Sequence, residues 1–137
     1  MAKVEAIVKA AEAEGVPFAL NARTDAIVRG GDKPLADKLS DAVVRGRAFI
    51  EAGATAVFVP GVLDADATRT LVDGIGRNKV SVIGLPGALT AAEYEALGVS
   101  RISYGPTTQR VALTALQDLA TDLYANGVIP EGTRALN

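Results

Sequence analysis

Val16-Pro17-Phe18-Ala19-Leu20, running into Asn21-Ala22-Arg23-Thr24-Asp25-Ala26, is a short apolar run that ends in an arginine, a threonine and an aspartate instead of a plain turn. The run is bounded by Gly15 and by polar residues, and it reads as a strand at 16–20 covered on both faces, as parallel strands are. In a parallel α/β sheet or barrel the carboxyl ends of the strands gather loops and helix N-termini, and ligands bind there. Arg23 is therefore the candidate contact for a substrate anion, because a guanidinium presents a planar fork that matches a carboxylate or phosphonate. Spacing alone leaves a second reading open, in which Arg23 and Asp25 form a structural ion pair that ties the loop down.

Outward from this stretch the chain repeats one rhythm of helix, glycine, apolar strand and loop. Upstream, Val4, Ile7, Val8 and Ala11 recur at helical spacing and predict a helix over 3–14, stopped by Gly15 in a left-handed conformation. Downstream, 27–40 with Gly30, Gly31 and Pro34 reads as a long loop on the ligand side. A helix follows at about 39–52, capped by Ser40 or Asp37 and ended by Gly53. The pattern then predicts a strand at 55–60, a helix at 65–75 capped by Asp64 or Asp66 and ended by Gly74 and Gly76, and a strand at 79–85. Thr90-Ala91-Ala92-Glu93 matches a capping box, so a short helix runs from Thr90 to Leu97 and stops at Gly98. A strand at 101–104 feeds a last helix at 109–124, with Val111, Leu113, Leu116, Leu119, Ala120 and Leu123 along one side. Connections this long exclude hairpins and imply parallel strands with right-handed crossovers in one domain over 1–137.

Composition narrows the chemistry. The chain has 137 residues, 49% of them hydrophobic and 4% aromatic, enough for a packed α/β core. It contains neither Cys nor His, which removes thiol nucleophiles, disulfides, the usual zinc sites and imidazole acid–base catalysis. Carboxylates, Arg, Lys, Tyr, hydroxyls or a hard metal ion must carry any reaction. A net charge of -2 without a long basic run argues against nucleic acid as a partner. No apolar stretch approaches the roughly 20 residues that span a bilayer, and Glu5 interrupts any leader-like start, so a soluble cytoplasmic protein is expected.

The motif Asn-Ala-Arg-Thr-Asp-Ala resembles the signature of the isocitrate lyase and phosphoenolpyruvate mutase superfamily. The resemblance extends through the segment from Glu51 to Gly61, the Pro86-Gly87-Ala88-Leu89-Thr90 turn, Leu97-Gly98-Val99 and Arg101-Ile102-Ser103-Tyr104-Gly105-Pro106. It implies a TIM-barrel enzyme that makes or breaks C–C or P–C bonds in small 2-oxo or phosphonate carboxylic acids through a magnesium-stabilised enolate. It implies further that Arg23 holds the substrate carboxylate or phosphonate, with Thr24 and Asp25 orienting it. Ser81, Ser103, Thr107 and Thr108 are further candidate substrate-binding residues, and no catalytic residue or metal ligand is assigned.

Departures from the family pattern shape the remaining expectations. The resemblance places the metal-binding carboxylates and the flexible catalytic loop before the point where this chain begins. The chain thus reads as a partial (β/α)8 barrel, about four parallel βα units equivalent to its second half, with the final helices cut short at Asn137. Pro60 stands where many members have a glutamate, and Ser81 where they have an asparagine. Weak or absent magnesium binding follows. Thr107 and Thr108 open a helix and suit an anion site or simple capping. Tyr94 is expected to pack at a surface. Four strands cannot close a barrel, so unpaired edges and an apolar inner face are expected, and with them a homo-oligomer. The competing reading is a non-catalytic, self-associating half-barrel or a module that binds small acids without turnover.

Overall fold

The computed structural model describes residues 1–135; residues 136 and 137, and with them the expected terminus at Asn137 and the far end of the 1–137 span, lie outside the described residues. The element order is α1 (Ala2–Ala13), β1 (Asn21–Arg23), α2 (Leu35–Glu51), β2 (Ala56–Phe58), α3 (Ala65–Ile75), β3 (Val80–Ile83), α4 (Ala91–Leu97), β4 (Arg101–Ser103) and α5 (Thr107–Asn126). Two compact units divide the chain, Met1–Ser103 and Tyr104 onward.

The first unit is a four-stranded sheet in the order β1-β2-β3-β4, every pair parallel. Each strand is followed by a helix, as parallel pairing requires. Alternate strand residues point to opposite faces. Val57, Val59, Val80 and Val82 lie in one core cluster with Leu39 and Ala42 of α2, Leu71, Val72 and Ile75 of α3, and Tyr94 of α4. Ala22 joins Val4 and Ala54 in a smaller cluster under α1. Helices thus cover one face, and Asn21, Arg23, Phe58, Ser81, Arg101 and Ser103 fall on the other by alternation.

Five expectations are corrected. The apolar run 16–20 is not the strand: β1 is Asn21–Arg23, and Val16 and Phe18 are exposed. Pairing with β2 begins only where the Leu20 carbonyl accepts the Thr55 and Ala56 amides, so the motif itself forms the strand. The loop ends earlier than expected, because Pro34 opens α2 at Leu35; its fixed φ suits a helix start, and no side chain caps it. Asp37 lies in the first turn and Ser40 deeper in the helix. Tyr94 is 2% exposed, a core residue instead of a surface one, and burial pushes its hydroxyl pKa up. The sheet face opposite α2, α3 and α4 is mixed instead of apolar, since Asn21, Ser81 and Arg101 interleave with Ala56, Phe58 and Ile83.

The last correction concerns Gly74, which lies inside α3 instead of ending it; Gly76, at φ 135°, is the cap. Gly74 and Gly46 let α2 and α3 approach closely. A Cβ on Gly46 would meet Ile75 Cδ1 at 2.6 Å and Cγ1 at 2.7 Å, and one on Gly74 would meet Val43 Cγ2 at 2.6 Å and Cγ1 at 2.7 Å. Val43 and Ile75 are both β-branched and stiff at χ1, so neither Cγ yields easily. Overpacking costs roughly 1–3 kcal/mol, and the helix-propensity gain of Gly→Ala returns about 1. Gly74→Ala and Gly46→Ala are each therefore expected to lower stability by roughly 1 kcal/mol in urea titrations; a Gly74→Ala protein more stable than wild type would contradict this helix contact.

Caps bear out the reading at two helices. The Asp64 carboxylate accepts the Ala67 amide at 2.8 Å. Thr90 and Glu93 form the capping box, and Gly98 ends α4 in the left-handed region. The Thr90 amide, and then its hydroxyl, donate to the Glu93 carboxylate and hold its pKa below the usual value. A lowered folded pKa means that this contribution is present above the usual glutamate range and is lost as pH falls through the lowered value.

In the second unit α5 begins two residues before its expected start and ends two after, closing on Gly127 in the left-handed region. Pro106 stands at its N-cap with no side-chain cap, so neither Thr107 nor Thr108 caps it.

Candidate functional site

Arg23 is the last residue of β1, and register places it beside Phe58 of β2. The Thr24 amide donates to the Phe58 carbonyl at 3.0 Å, locking the two strand ends together. Thr24 itself is 2% exposed, and its hydroxyl accepts the Ala26 amide at 3.3 Å, shaping the turn that follows. The Arg29 amide closes that turn by donating to the Asp25 carbonyl at 2.8 Å.

Three charges meet at this turn. Arg23 Nε donates to Asp25 Oδ1 at 2.6 Å, and Arg29 Nε lies 3.4 Å from Asp25 Oδ2. The Arg23 guanidinium carbon stands 5.8 Å from the centroid of the Phe58 ring, within cation–π range. Arg23 remains 55% exposed, and among the described residues its terminal nitrogens make no hydrogen bond. The ion-pair arrangement therefore exists, yet it engages only one edge of the guanidinium.

Beside Arg23, the turn after β2 interlocks with the turn after β1. Gly61 has φ 145°, and a side chain there would strike Ile27 Cγ2 at 2.7 Å. Pro60, next to it, is buried and offers no polar side-chain atom.

Deeper on the same face Ser81 is fully buried. Its hydroxyl lies 3.4 Å from Arg101 Nη1 and 3.5 Å from Asn21 Nδ2, both as donors, while among the described residues Asn21 Oδ1 has no partner. Ser81 belongs to this network between strands. Ser103 ends β4, and its carbonyl accepts the Gly84 amide at 2.9 Å. Thr107 and Thr108 belong to the second unit, in the first turn of α5. Sequence reading did not single out Phe58, Asn21 or Arg29. Only strand register brings Phe58 beside the motif that Asn21 opens, and Arg29 reaches Asp25 by i,i+4 spacing, a signal the sequence did carry.

Magnesium does not fit these residues. Among the described residues no three His, Cys, Asp or Glu side chains converge, and Asp25 is engaged by two guanidiniums. Among them also, no helix is long and apolar enough to cross a membrane.

A parallel sheet covered by helices on one face, each strand followed by a helix, is the architecture of part of a parallel α/β barrel. The chain belongs to the phosphoenolpyruvate phosphomutase family, whose model matches residues 1–124. It is similar in structure to a protein of Burkholderia cenocepacia J2315 provisionally assigned as a lyase/mutase, with 34% identity and a TM-score of 0.76, covering 91% of this chain and 44% of that one. A second protein of that organism, provisionally assigned as a phosphonomutase, shares 32% identity at a TM-score of 0.79, over 88% of this chain and 48% of that one. Oxaloacetate acetylhydrolase, at 21% identity and a TM-score of 0.78 over 96% of this chain and 46% of that one, shares the fold. The chain thus spans under half the length of each, and its sheet is a partial TIM barrel. No curated protein matches the sequence.

Proposed function

We propose that this chain supplies the acid-holding side of a site for isocitrate lyase- or phosphoenolpyruvate mutase-like chemistry, the making or breaking of a C–C or P–C bond in a small 2-oxo or phosphonate acid. The observation that carries this reading is the terminal edge of Arg23, free of hydrogen bonds among the described residues, at the carboxyl end of β1 on the sheet face opposite α2, α3 and α4. Two parallel N–H donors there match the two oxygens of a carboxylate or phosphonate. Asp25 and Thr24 act from behind, one holding the guanidinium and the other the turn, with Ser81 and Ser103 on the same face. Thr107 and Thr108 are proposed only as anion contacts of the second unit, at the positive end of α5. Calorimetric titration with oxalate and with phosphonopyruvate tests the reading: each is expected to bind saturably and to compete with the other. Absence of binding by both would overturn it.

One observation favours a second reading, a self-associating acid-binding module. Among the described residues β1 and β4 each pair on one side only, which leaves two rows of backbone groups for another chain. Light scattering at micromolar concentration is then expected to give a dimer or larger species, and a monodisperse monomer with a cooperative melt would exclude it.

A further inference from the structure

We propose that Asp25 and Phe58 are positioning residues that fix Arg23 so that a bound acid meets only its terminal Nη edge; the inference rests on the acid-holding role given to Arg23 above. A free arginine side chain samples many rotamers, and ordering it on binding weakens affinity. Here two contacts order it beforehand. Asp25 Oδ1 takes the Nε edge at 2.6 Å, and the Phe58 ring covers one face at 5.8 Å from its centroid. Asp25 is itself held, by Arg29 Nε at 3.4 Å on its other oxygen and by its backbone carbonyl in the turn. The Arg23–Phe58 register and the Thr24 amide bond to Phe58 keep ring and guanidinium adjacent whatever the rest of the loop does. What remains open is one face and the Nη edge, the geometry that receives a coplanar carboxylate.

Charge and position make opposite demands on Asp25, so one substitution separates them. Asp25→Asn keeps the shape and removes a negative charge beside the incoming anion. If Asp25 acted only through its charge, oxalate would bind tighter to the variant. If it positions Arg23, oxalate binds more weakly. Phe58→Leu keeps an apolar side chain without the ring, and Phe58→Tyr keeps the ring.

The experiment is calorimetric titration of the full chain with oxalate at fixed ionic strength, alongside circular dichroism of each variant. Expected are a loss of about 3- to 10-fold for Asp25→Asn, about 2- to 5-fold for Phe58→Leu, and rescue to within about twofold of wild type by Phe58→Tyr. Equal or tighter binding by Asp25→Asn overturns the proposal even where Arg23→Lys still binds poorly, a result that leaves the acid-holding role intact. Unchanged affinity in Arg23→Lys, or no binding by wild type, overturns both. Should Phe58→Leu fail to fold, the sign of the Asp25→Asn effect decides alone.

Discussion

Leu71→Ala is expected to lower the unfolding free energy by about 2–5 kcal/mol, a large share of the roughly 5–15 kcal/mol that holds a typical domain together. Leu71 is fully buried in α3, within the cluster formed by α2, α3, α4 and the valines of β2 and β3. Removing three carbons there loses their transfer free energy and leaves a cavity bounded by the strands and by α2. The sheet cannot collapse into it without breaking its ladder, which favours the upper part of the range. Urea unfolding reads this as a lower midpoint with an unchanged slope. Leu71 lies on the helix-covered side, away from Arg23, so oxalate affinity of the folded fraction is expected to stay at the wild-type value. A cost below about 1 kcal/mol would mean that α3 is not seated on the sheet as described.

Arg23→Lys is expected to weaken oxalate binding by about one to two decades. A charge-assisted hydrogen bond contributes roughly 1.5–3 kcal/mol, and each 1.4 kcal/mol is tenfold in affinity. Lysine keeps the positive charge but offers a single ammonium point in place of two parallel donors, and it also gives up the edge that Asp25 holds. Raising the salt concentration should weaken wild type and variant alike, since screening acts on the charge both share. Equal affinities with unchanged circular dichroism would make the Arg23–Asp25 pair purely structural.

Much of the fold was legible because local signals agree with the tertiary arrangement. The Thr90–Glu93 box, the Asp64 cap and the glycines at 15, 53 and 98 mark helix ends by chemistry that acts within a few residues, and they stand where the sequence puts them. What was not legible depends on partners distant in the chain. Phe18 and Val16 look like a buried strand, but a strand exists only where a neighbour offers hydrogen bonds, and β2 offers them from Ala56 onward. Tyr94 is apolar enough to bury, yet which face of a seven-residue helix meets the core is not set by so short a pattern. At the site, Arg23 and Asp25 stand out as polar residues in an apolar setting. Phe58 looks like any strand aromatic until register brings it beside Arg23.

In the proposed role, the terminal edge of Arg23 receives a small acid at the carboxyl end of β1. Nuclear magnetic resonance of protein with ¹⁵N-labelled arginine, titrated with oxalate, tests it most directly. The Arg23 Nη resonances are predicted to shift saturably, while the Nε–H held by Asp25 stays in place. Shifts at Arg101 or Arg29 with Arg23 unmoved would contradict the claim.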